Sequence, residues 1–305
     1  MVKFLIKRLL LFFPVVLGVS TLVFFMIHLI PGDPIDIMLG DTARDTDKEA
    51  LRIELHLNEP IVTQYFSFLK GLIRGEMGRS LHTMRPVTDM IIERLPATIE
   101  LTITSMLFAI IIAVPSGIIG ALRQHSIFDY GSMIFAMLGI SMPNFWLGPL
   151  LIIFFGLYLG WFPVSGKDGL IYFVLPSITL GTGMAAILAR MIRANLLEVI
   201  NKEYLVCARA KGLKMSSILL KHAARNALIP VITVLGLQFG SLLGGSIITE
   251  TIFSWPGIGR LTIQAINTRD YPLVQGCILI ISLSYVSINL LTDIVYTYID
   301  PRIEY

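Results

Sequence analysis

The chain alternates long apolar runs with shorter polar segments, and six of the runs are long enough to cross a membrane. The first, residues 9–30, would extend about 33 Å as a helix, which exceeds the roughly 30 Å of a bilayer's hydrocarbon core. Five more follow, at about 98–122, 130–159, 175–200, 228–250 and 273–299. The pattern predicts an all-α integral membrane protein with six transmembrane helices.

Basic residues indicate how these helices are oriented. Lys3, Lys7 and Arg8 precede the first run, and further basic residues follow the second and fourth runs. The loops after the third and fifth runs hold only Lys167, Arg260 and Arg269. Because short cytoplasmic loops are enriched in Lys and Arg, we expect both termini in the cytoplasm. The first run is longer than a signal-peptide core and lacks a following A-x-A site, so we expect it to remain as a helix.

Composition supports a membrane protein. Hydrophobic residues make up 55% of the chain, charged residues only 15%, and the mean hydropathy is +0.76. These values lie outside the range of soluble globular domains. The two cysteines, Cys207 and Cys277, are far apart and indicate neither a disulfide framework nor a metal site.

Residues 31–95 form the one long hydrophilic stretch, with both signs of charge nearly balanced. Within it, apolar residues recur at helical spacing and predict a small amphipathic helix, which could simply pack on the membrane domain. They are Ile61, Tyr65, Phe68, Leu69 and Leu72. The predicted organisation is a first helix (1–30), an extracytoplasmic region (31–95), a five-helix core (96–298) and a cytoplasmic tail (299–305).

A basic segment, residues 201–222, separates the fourth and fifth predicted spans. Asn201 is a favourable N-cap, and Glu203 falls in the first turn, where the helix dipole favours an acidic side chain. Gly212 is a favourable helix stop. A second short helix could restart at Ser216 or Ser217. Small residues on one face would allow another surface to approach closely, so the basic segment is predicted to be a docking element.

The letters ARAKG and HAARNALIP in and after this segment carry a resemblance. They resemble the cytoplasmic coupling region of binding-protein-dependent ABC importer permeases, specifically the dipeptide/oligopeptide/nickel family. The broader superfamily has Glu-Ala-Ala, three residues and then Gly. Here Ala208 and Gly212 match, whereas Val206 and Cys207 replace Glu-Ala, as is common in the peptide branch. KRLL, PGDP and the closing DPR extend the resemblance over nearly the whole chain.

The resemblance implies a type I ABC importer permease fold in a bacterial or archaeal inner membrane. It implies a heterodimer with a second permease subunit, two cytosolic ATPase subunits that bind ATP and Mg²⁺, and an extracytoplasmic substrate-binding protein. Membrane lipid would also contact the chain, and no nucleic-acid partner is expected. The cargo would be di- or oligopeptides, with glutathione, a nickel chelate or an oligosaccharide as alternatives. The residues expected to couple to the ATPases are Glu203, Tyr204, Ala208, Arg209, Lys211 and Gly212.

Small and polar residues within the spans indicate packing and a path. Gly236, Gly240 and Gly244 repeat a small-xxx-small pattern, which predicts a close helix–helix seam. Neutral polar residues in the third and fifth spans should avoid lipid, and they could line a translocation path or form interhelical hydrogen bonds. The candidates for the path are Ser141, Asn144, Gln238 and Ser241.

Asp293 shares a face of the last predicted span with Asn289 and Tyr296. A carboxylate within a membrane suggests either a proton relay or a structural ion pair. Its position near the helix end favours the ion pair. The candidate partners are Arg123, Arg190 and Arg193.

The turn between the last two spans contains Phe253 and Trp255 in the letters FSWPGIGRL. Pro256-Gly257 predicts a turn, and Trp255 and Tyr271 are typical of an aromatic belt at the membrane surface. The family resemblance offers an alternative, an external gate facing the partner permease, made by Phe253 and Trp255.

Several catalytic motifs are missing from the sequence. It has no G-x-x-x-x-G-K-[ST], no H-E-x-x-H and no G-x-S-x-G, and its five histidines are scattered. We therefore expect a transporter subunit with no catalytic, cofactor or metal site of its own. An intramembrane hydrolase and a stand-alone channel are the competing interpretations. Energy dependence would separate the channel from the importer.

Overall fold

The structure is a computed structural model that describes residues 2–28, 35, 44–54, 58–200, 202–214 and 223–299. Its elements are helical, apart from one isolated antiparallel bridge between Arg79 and Pro86. The helices are α1 Val2–His28, α2 Asp45–Glu54, α3 Ile61–Ile73, α4 Val87–Leu122, α5 Ile127–Ser141, α6 Asn144–Leu151, α7 Val174–Ile200, α8 Glu203–Ala210, α9 Ala224–Ile252, α10 Ile258–Asn267 and α11 Tyr271–Ile299. A π-helical turn, Ile152–Tyr158, continues α6, and a 3₁₀ turn, Leu170–Phe173, leads into α7.

The all-α prediction is confirmed for this part of the chain. Three stretches are long and apolar enough to cross a membrane, namely Val87–Leu122, Leu170–Ile200 and Tyr271–Val295. Two bent pairs, Ile127–Ser141 with Asn144–Tyr158 and Pro230–Gly244 with Ser246–Ile252, bring the number to as many as five. In the first predicted span the described apolar helix, Leu10–Phe25, is shorter.

Two predicted spans differ from the observed helices. The second was expected to begin at residue 98, but α4 begins at Val87. The apolar side chains of Val87 and Ile91 are buried on one face of this early part of the helix, although charged residues lie between and after them in the sequence. The third is not straight: α5 and the α6 pair make an angle of 106°. Pro143 lacks an amide hydrogen and disfavours helical geometry at Met142, so α5 ends there and α6 restarts.

The chain forms two compact units, Ile99–Trp255 with Ser287–Tyr305 and Val2–Thr98 with Pro256–Val286. In the first unit α7 packs against α5, α6 and α9, and α6 also packs against α9. α7 also approaches α4 closely, because a Cβ added to Gly181 on α7 would lie 2.7 Å from the carbonyl oxygen of Ser105 on α4. α7 is therefore the central helix of this unit.

In the second unit, α10 and the start of α11 pack against the start of α4. The core includes Val87, Ile91, Ile258, Leu261, Leu273 and Val274. Buried Asp270 holds the loop before α4 against this core. Its carboxylate accepts hydrogen bonds from Ser80 Oγ at 2.5 Å and from the Leu81 amide at 3.1 Å. The predicted amphipathic helix is present as α3, whose Tyr65 hydroxyl lies 2.6 Å from Thr21 Oγ1 of α1.

Candidate coupling surface and translocation path

The basic segment begins with a short, hydrogen-bonded link between α7 and α8. The Lys202 amide donates to the Val199 carbonyl at 3.0 Å, and the Leu205 amide donates to the Lys202 carbonyl at 3.0 Å. The Leu205 side chain is fully buried, whereas Tyr204 is 41% exposed. α8 is thus anchored on one side and open on the other, a geometry that suits a docking helix.

The end of α8 lies where the glycine predicted it. The helix ends at Ala210, and Gly212 has φ +74°, a left-handed conformation that favours glycine. A Cβ added to Gly212 would meet no heavy atom within 4 Å, so the surroundings are open. Lys211, Leu213 and Lys214 are exposed beside it. Together with Glu203, these side chains make a largely basic, accessible surface.

Parts of the predicted coupling site fall outside the described residues. Asn201 and the possible second helix from Ser216 or Ser217 are among them. Ala208 and Arg209 lie within α8, but their side chains are not described. The coupling roles of all these residues stay predictions.

The four candidate path residues lie on three helices of the first unit, α5, α6 and α9. Ser141 ends α5 and is exposed, and Asn144 begins α6 and is half-buried, so the pair flanks the 106° bend. On α9, Gln238 is half-buried and Ser241 is exposed. α6 and α9 contact each other, but the path role of these four residues stays a prediction.

The three glycines of the fifth predicted span have different surroundings. A Cβ on Gly236 would collide with the Thr292 side chain of α11, so these helices are in close contact. Gly240 is buried. Gly244 is exposed, and an added Cβ would meet nothing within 4 Å. The seam within this chain therefore lies at the Gly236 end, and the Gly244 end faces outward.

Phe253 and Trp255 are buried in the first unit, at 1% and 0% exposure. The Trp255 ring packs edge-on against Phe173 with centroids 4.6 Å apart, and the Phe253 carbonyl accepts the Gly166 amide at 3.1 Å. Ser254, at φ +51°, lies in the tight turn between the two rings. The aromatic-belt prediction is therefore wrong for Trp255. Neither ring reaches the surface of this chain, and the gate role of Phe253 and Trp255 stays a prediction.

Sequence reasoning missed a buried ion pair in the first unit. Arg193 of α7 donates from Nε and an Nη atom to the two carboxylate oxygens of Asp129 on α5, at 2.6 and 2.8 Å. The Asp129 side chain is 2% exposed and also accepts the His125 amide at 3.1 Å. Arg193 is thus engaged with Asp129, which argues against Arg193 as the partner proposed for Asp293. The spacing of Ser126 and Asp129 in the sequence is typical of a helix N-cap and could have predicted the start of α5. It could not have predicted the ion pair between Asp129 and Arg193.

No group of three or more His, Cys, Asp or Glu side chains in the described part of the chain is arranged to hold a metal ion.

Two family models together match almost the entire sequence. Residues 106–305 match the binding-protein-dependent transport system inner membrane component, and residues 1–102 match the N-terminal region of the membrane component of such systems. The chain belongs to this family. It is therefore a multi-pass inner-membrane permease subunit of an ABC importer, and permeases of this kind work with ATPase and further permease subunits.

Two named relatives match the permease over its full length. It is 46% identical to the dipeptide transport system permease protein DppB of Alkalihalophilus pseudofirmus, with 100% of each chain covered. It is 44% identical to the glutathione transport system permease protein GsiC of Escherichia coli K12, again with 100% of each chain covered. The resemblance to the peptide branch of the family is confirmed.

Solved structures of the same fold are more distant in sequence. The permease resembles an inward-facing structure of the MetNI methionine ABC transporter with a TM-score of 0.57 and 21% identity, covering 69% of this chain and 96% of that one. An amino acid ABC transporter with histidines gives a TM-score of 0.53 at 18% identity, covering 71% and 95%. At these identities the similarity establishes the fold.

Proposed function

We propose that this permease carries di- or oligopeptides, delivered by an extracytoplasmic binding protein, into the cytoplasm in an ATP-driven cycle. The observation that supports this cargo is the full-length identity of 46% and 44% to permeases named for a dipeptide and for glutathione, which are both peptides. Glutathione is the specific alternative, because its named relative is nearly as similar. A nickel chelate or an oligosaccharide is a less supported cargo.

The proposed assembly is a heterodimer with a second permease, two cytosolic ATPases and the binding protein, with both termini of this chain in the cytoplasm. ATP and Mg²⁺ would bind to the ATPases, since this sequence has no P-loop. The exposed residues Glu203, Tyr204 and Lys211, with Gly212, would form the contact to an ATPase. Ala208 and Arg209 belong to the same proposed surface by the family motif.

The short link into α8 supports a mechanical role. An ATPase that moves α8 would move α7 with it, because backbone hydrogen bonds at Val199, Lys202 and Leu205 leave little slack. Asn195 Nδ2 of α7 also donates to the Ala227 carbonyl of α9 at 3.2 Å, so the motion would reach both helices. Rigid-body motion of this kind would switch access to a central cavity. Its neutral lining at Ser141, Asn144, Gln238 and Ser241 would release cargo readily.

The test is peptide uptake by the reconstituted complex. We expect proteoliposomes that contain both permeases and the ATPases to accumulate a labelled dipeptide only with ATP and the binding protein present. Uptake without ATP would indicate a channel instead. Mass spectrometry of the small molecule that co-purifies with the binding protein would identify the cargo, and a metal chelate or sugar there would contradict the peptide proposal.

A further inference from the structure

The Asp129–Arg193 ion pair lies close to the proposed coupling surface. Arg193 is seven residues before the end of α7 at Ile200, about 10 Å along the helix, and α8 begins three residues later. Asp129 lies in the first turn of α5, directly after the loop from α4. The pair therefore joins the helix that carries α8 to the start of a second helix.

The pair is built into the packing of three helices. An added Cβ on Gly120 of α4 would lie 3.2 Å from Arg193 Cδ and 3.4 Å from Asp129 Oδ1, so α4 packs closely against both ions at this point. The Asp129 amide also donates to Ser126 Oγ, which fixes the start of α5. Buried charges that lose their partner are costly, so the pair resists separation.

A second contact between the same two helices lies near the far end of α5. An added Cβ on Gly139 would lie 3.1 Å from Cβ of Ala186 and 3.2 Å from Cγ2 of Thr182, both on α7. Gly139 is ten residues from Asp129, and Thr182 is eleven from Arg193, so the two contacts are about 15 Å apart on each helix. The antiparallel helices are thus held at two matched points.

α5 leads directly into the bend at Met142-Pro143, and Ser141 and Asn144 flank this bend. A displacement of α8 that reaches α7 would therefore reach the bend through α5, provided that the two contacts hold. No other element intervenes between Gly139 and Ser141.

We propose that α5 and α7 move as one rigid lever in the transport cycle, with Asp129 and Arg193 as positioning residues that carry the motion of α8 to the Ser141–Asn144 bend. This inference deepens the proposed function and rests on it. Asp129 and Arg193 touch neither nucleotide nor cargo in this scheme; they act through the geometry of α5 and α7.

The first experiment compares uptake with ATP hydrolysis. In Asp129→Asn we expect peptide uptake to fall at least tenfold while ATP hydrolysis by the assembled complex stays within about twofold, so that the ATP used per peptide rises. Arg193→Gln should behave alike. Glu93→Gln is the matched control, since it removes an exposed ion pair with Arg85. A proportional loss of uptake and hydrolysis would indicate a merely structural pair and overturn the inference, as would unchanged uptake.

A second experiment does not depend on the folding of those variants. A disulfide between Gly139→Cys and Ala186→Cys is feasible, because the Cβ spacing of 3.1 Å is within a few tenths of an ångström of the ~3.5–4.5 Å that disulfides use. If α5 and α7 move together, the oxidised complex should transport at the rate of the reduced one. Loss of uptake on oxidation, restored on reduction, would show that the helices slide and would overturn the lever. Failure of the wild-type complex to import any peptide would instead contradict the proposed function.

Discussion

The basic segment and the turn around Trp255 are both short connections that contain aromatic residues and that the sequence singles out. In the structure they differ in burial. In α8 the Leu205 side chain is buried while Tyr204 beside it is 41% exposed, and Gly212 has open space around it. In the turn, Phe253 and Trp255 are both buried. The first connection is anchored at one point and offers a surface, whereas the second is part of the core.

This difference separates two reasons for singling out a residue. Trp255 and its neighbours hold part of the core of the first unit together, so changes there should act on stability. Tyr204 is 41% exposed and Gly212 has open space around it, so changes there should act more on communication with a partner than on stability. Function and stability can therefore be measured apart in this permease.

Replacing Trp255 with alanine should produce the largest effect. It removes a fully buried ring that packs on Phe173, and a truncation of this kind costs about 3–5 kcal/mol. We expect a markedly lower unfolding temperature of the purified complex and little assembled protein. Trp161→Ala is the control, since Trp161 is 60% exposed and its loss should matter little to stability. Equal losses from the two variants would break the proposed contrast.

Leu205→Ala should come next. The side chain is fully buried and anchors α8, so its truncation should cost about 2 kcal/mol or more and loosen the helix. We expect a moderately lower unfolding temperature together with a loss of uptake. Tyr204→Ala, one residue away and 41% exposed, should lower uptake with a smaller fall in unfolding temperature than Leu205→Ala. The contrast between anchor and surface would be contradicted if Tyr204→Ala destabilised the protein as much as Leu205→Ala.

Gly212→Leu should affect coupling more than stability. A side chain at φ +74° costs about 1–2 kcal/mol, but it meets no neighbour within 4 Å in this chain. We expect normal membrane insertion, retained ATP hydrolysis and at least about a tenfold loss of uptake. Gly160→Leu is the matched control, because Gly160 has φ +64° and equally open surroundings. Unchanged uptake in Gly212→Leu would remove the coupling role.

Much of the fold was predictable because membrane spans are apolar over a length fixed by the bilayer. The amphipathic helix α3 was also readable, since Tyr65 and Phe68 recur at helical spacing and both pack on Phe24 of α1. The start of α4 at Val87 was not, because its charged residues look like a loop when the buried partner strip on α10 and α11 is unknown. Local periodicity thus predicts helices better than it predicts their ends.

The site was predictable only where local chemistry decides it. Gly212 predicts a helix end with a left-handed backbone conformation from only a few residues of sequence, and the structure has this conformation there. Asp129 and Arg193 are 64 positions apart, so no local pattern joins them. A tryptophan such as Trp255 suits both a membrane surface and a protein core, because its ring is apolar and its N–H is polar. Which of the two it occupies depends on tertiary packing, which the local sequence does not reveal.

Lys167→Gln should have the smallest effect and tests the rim of the buried turn. Lys167 Nζ lies 2.5 Å from Glu100 Oε2 and 5.7 Å from the centre of the Trp255 ring, with the two charged side chains 26% and 47% exposed. Solvent screens such a pair, so we expect a loss below about 1 kcal/mol, measured as a small fall in unfolding temperature. Added salt should narrow the gap between wild type and variant, because screening weakens the pair in the wild type alone. A loss as large as that of Trp255→Ala would mean that the ion pair, and not the burial of the ring, holds the turn in place.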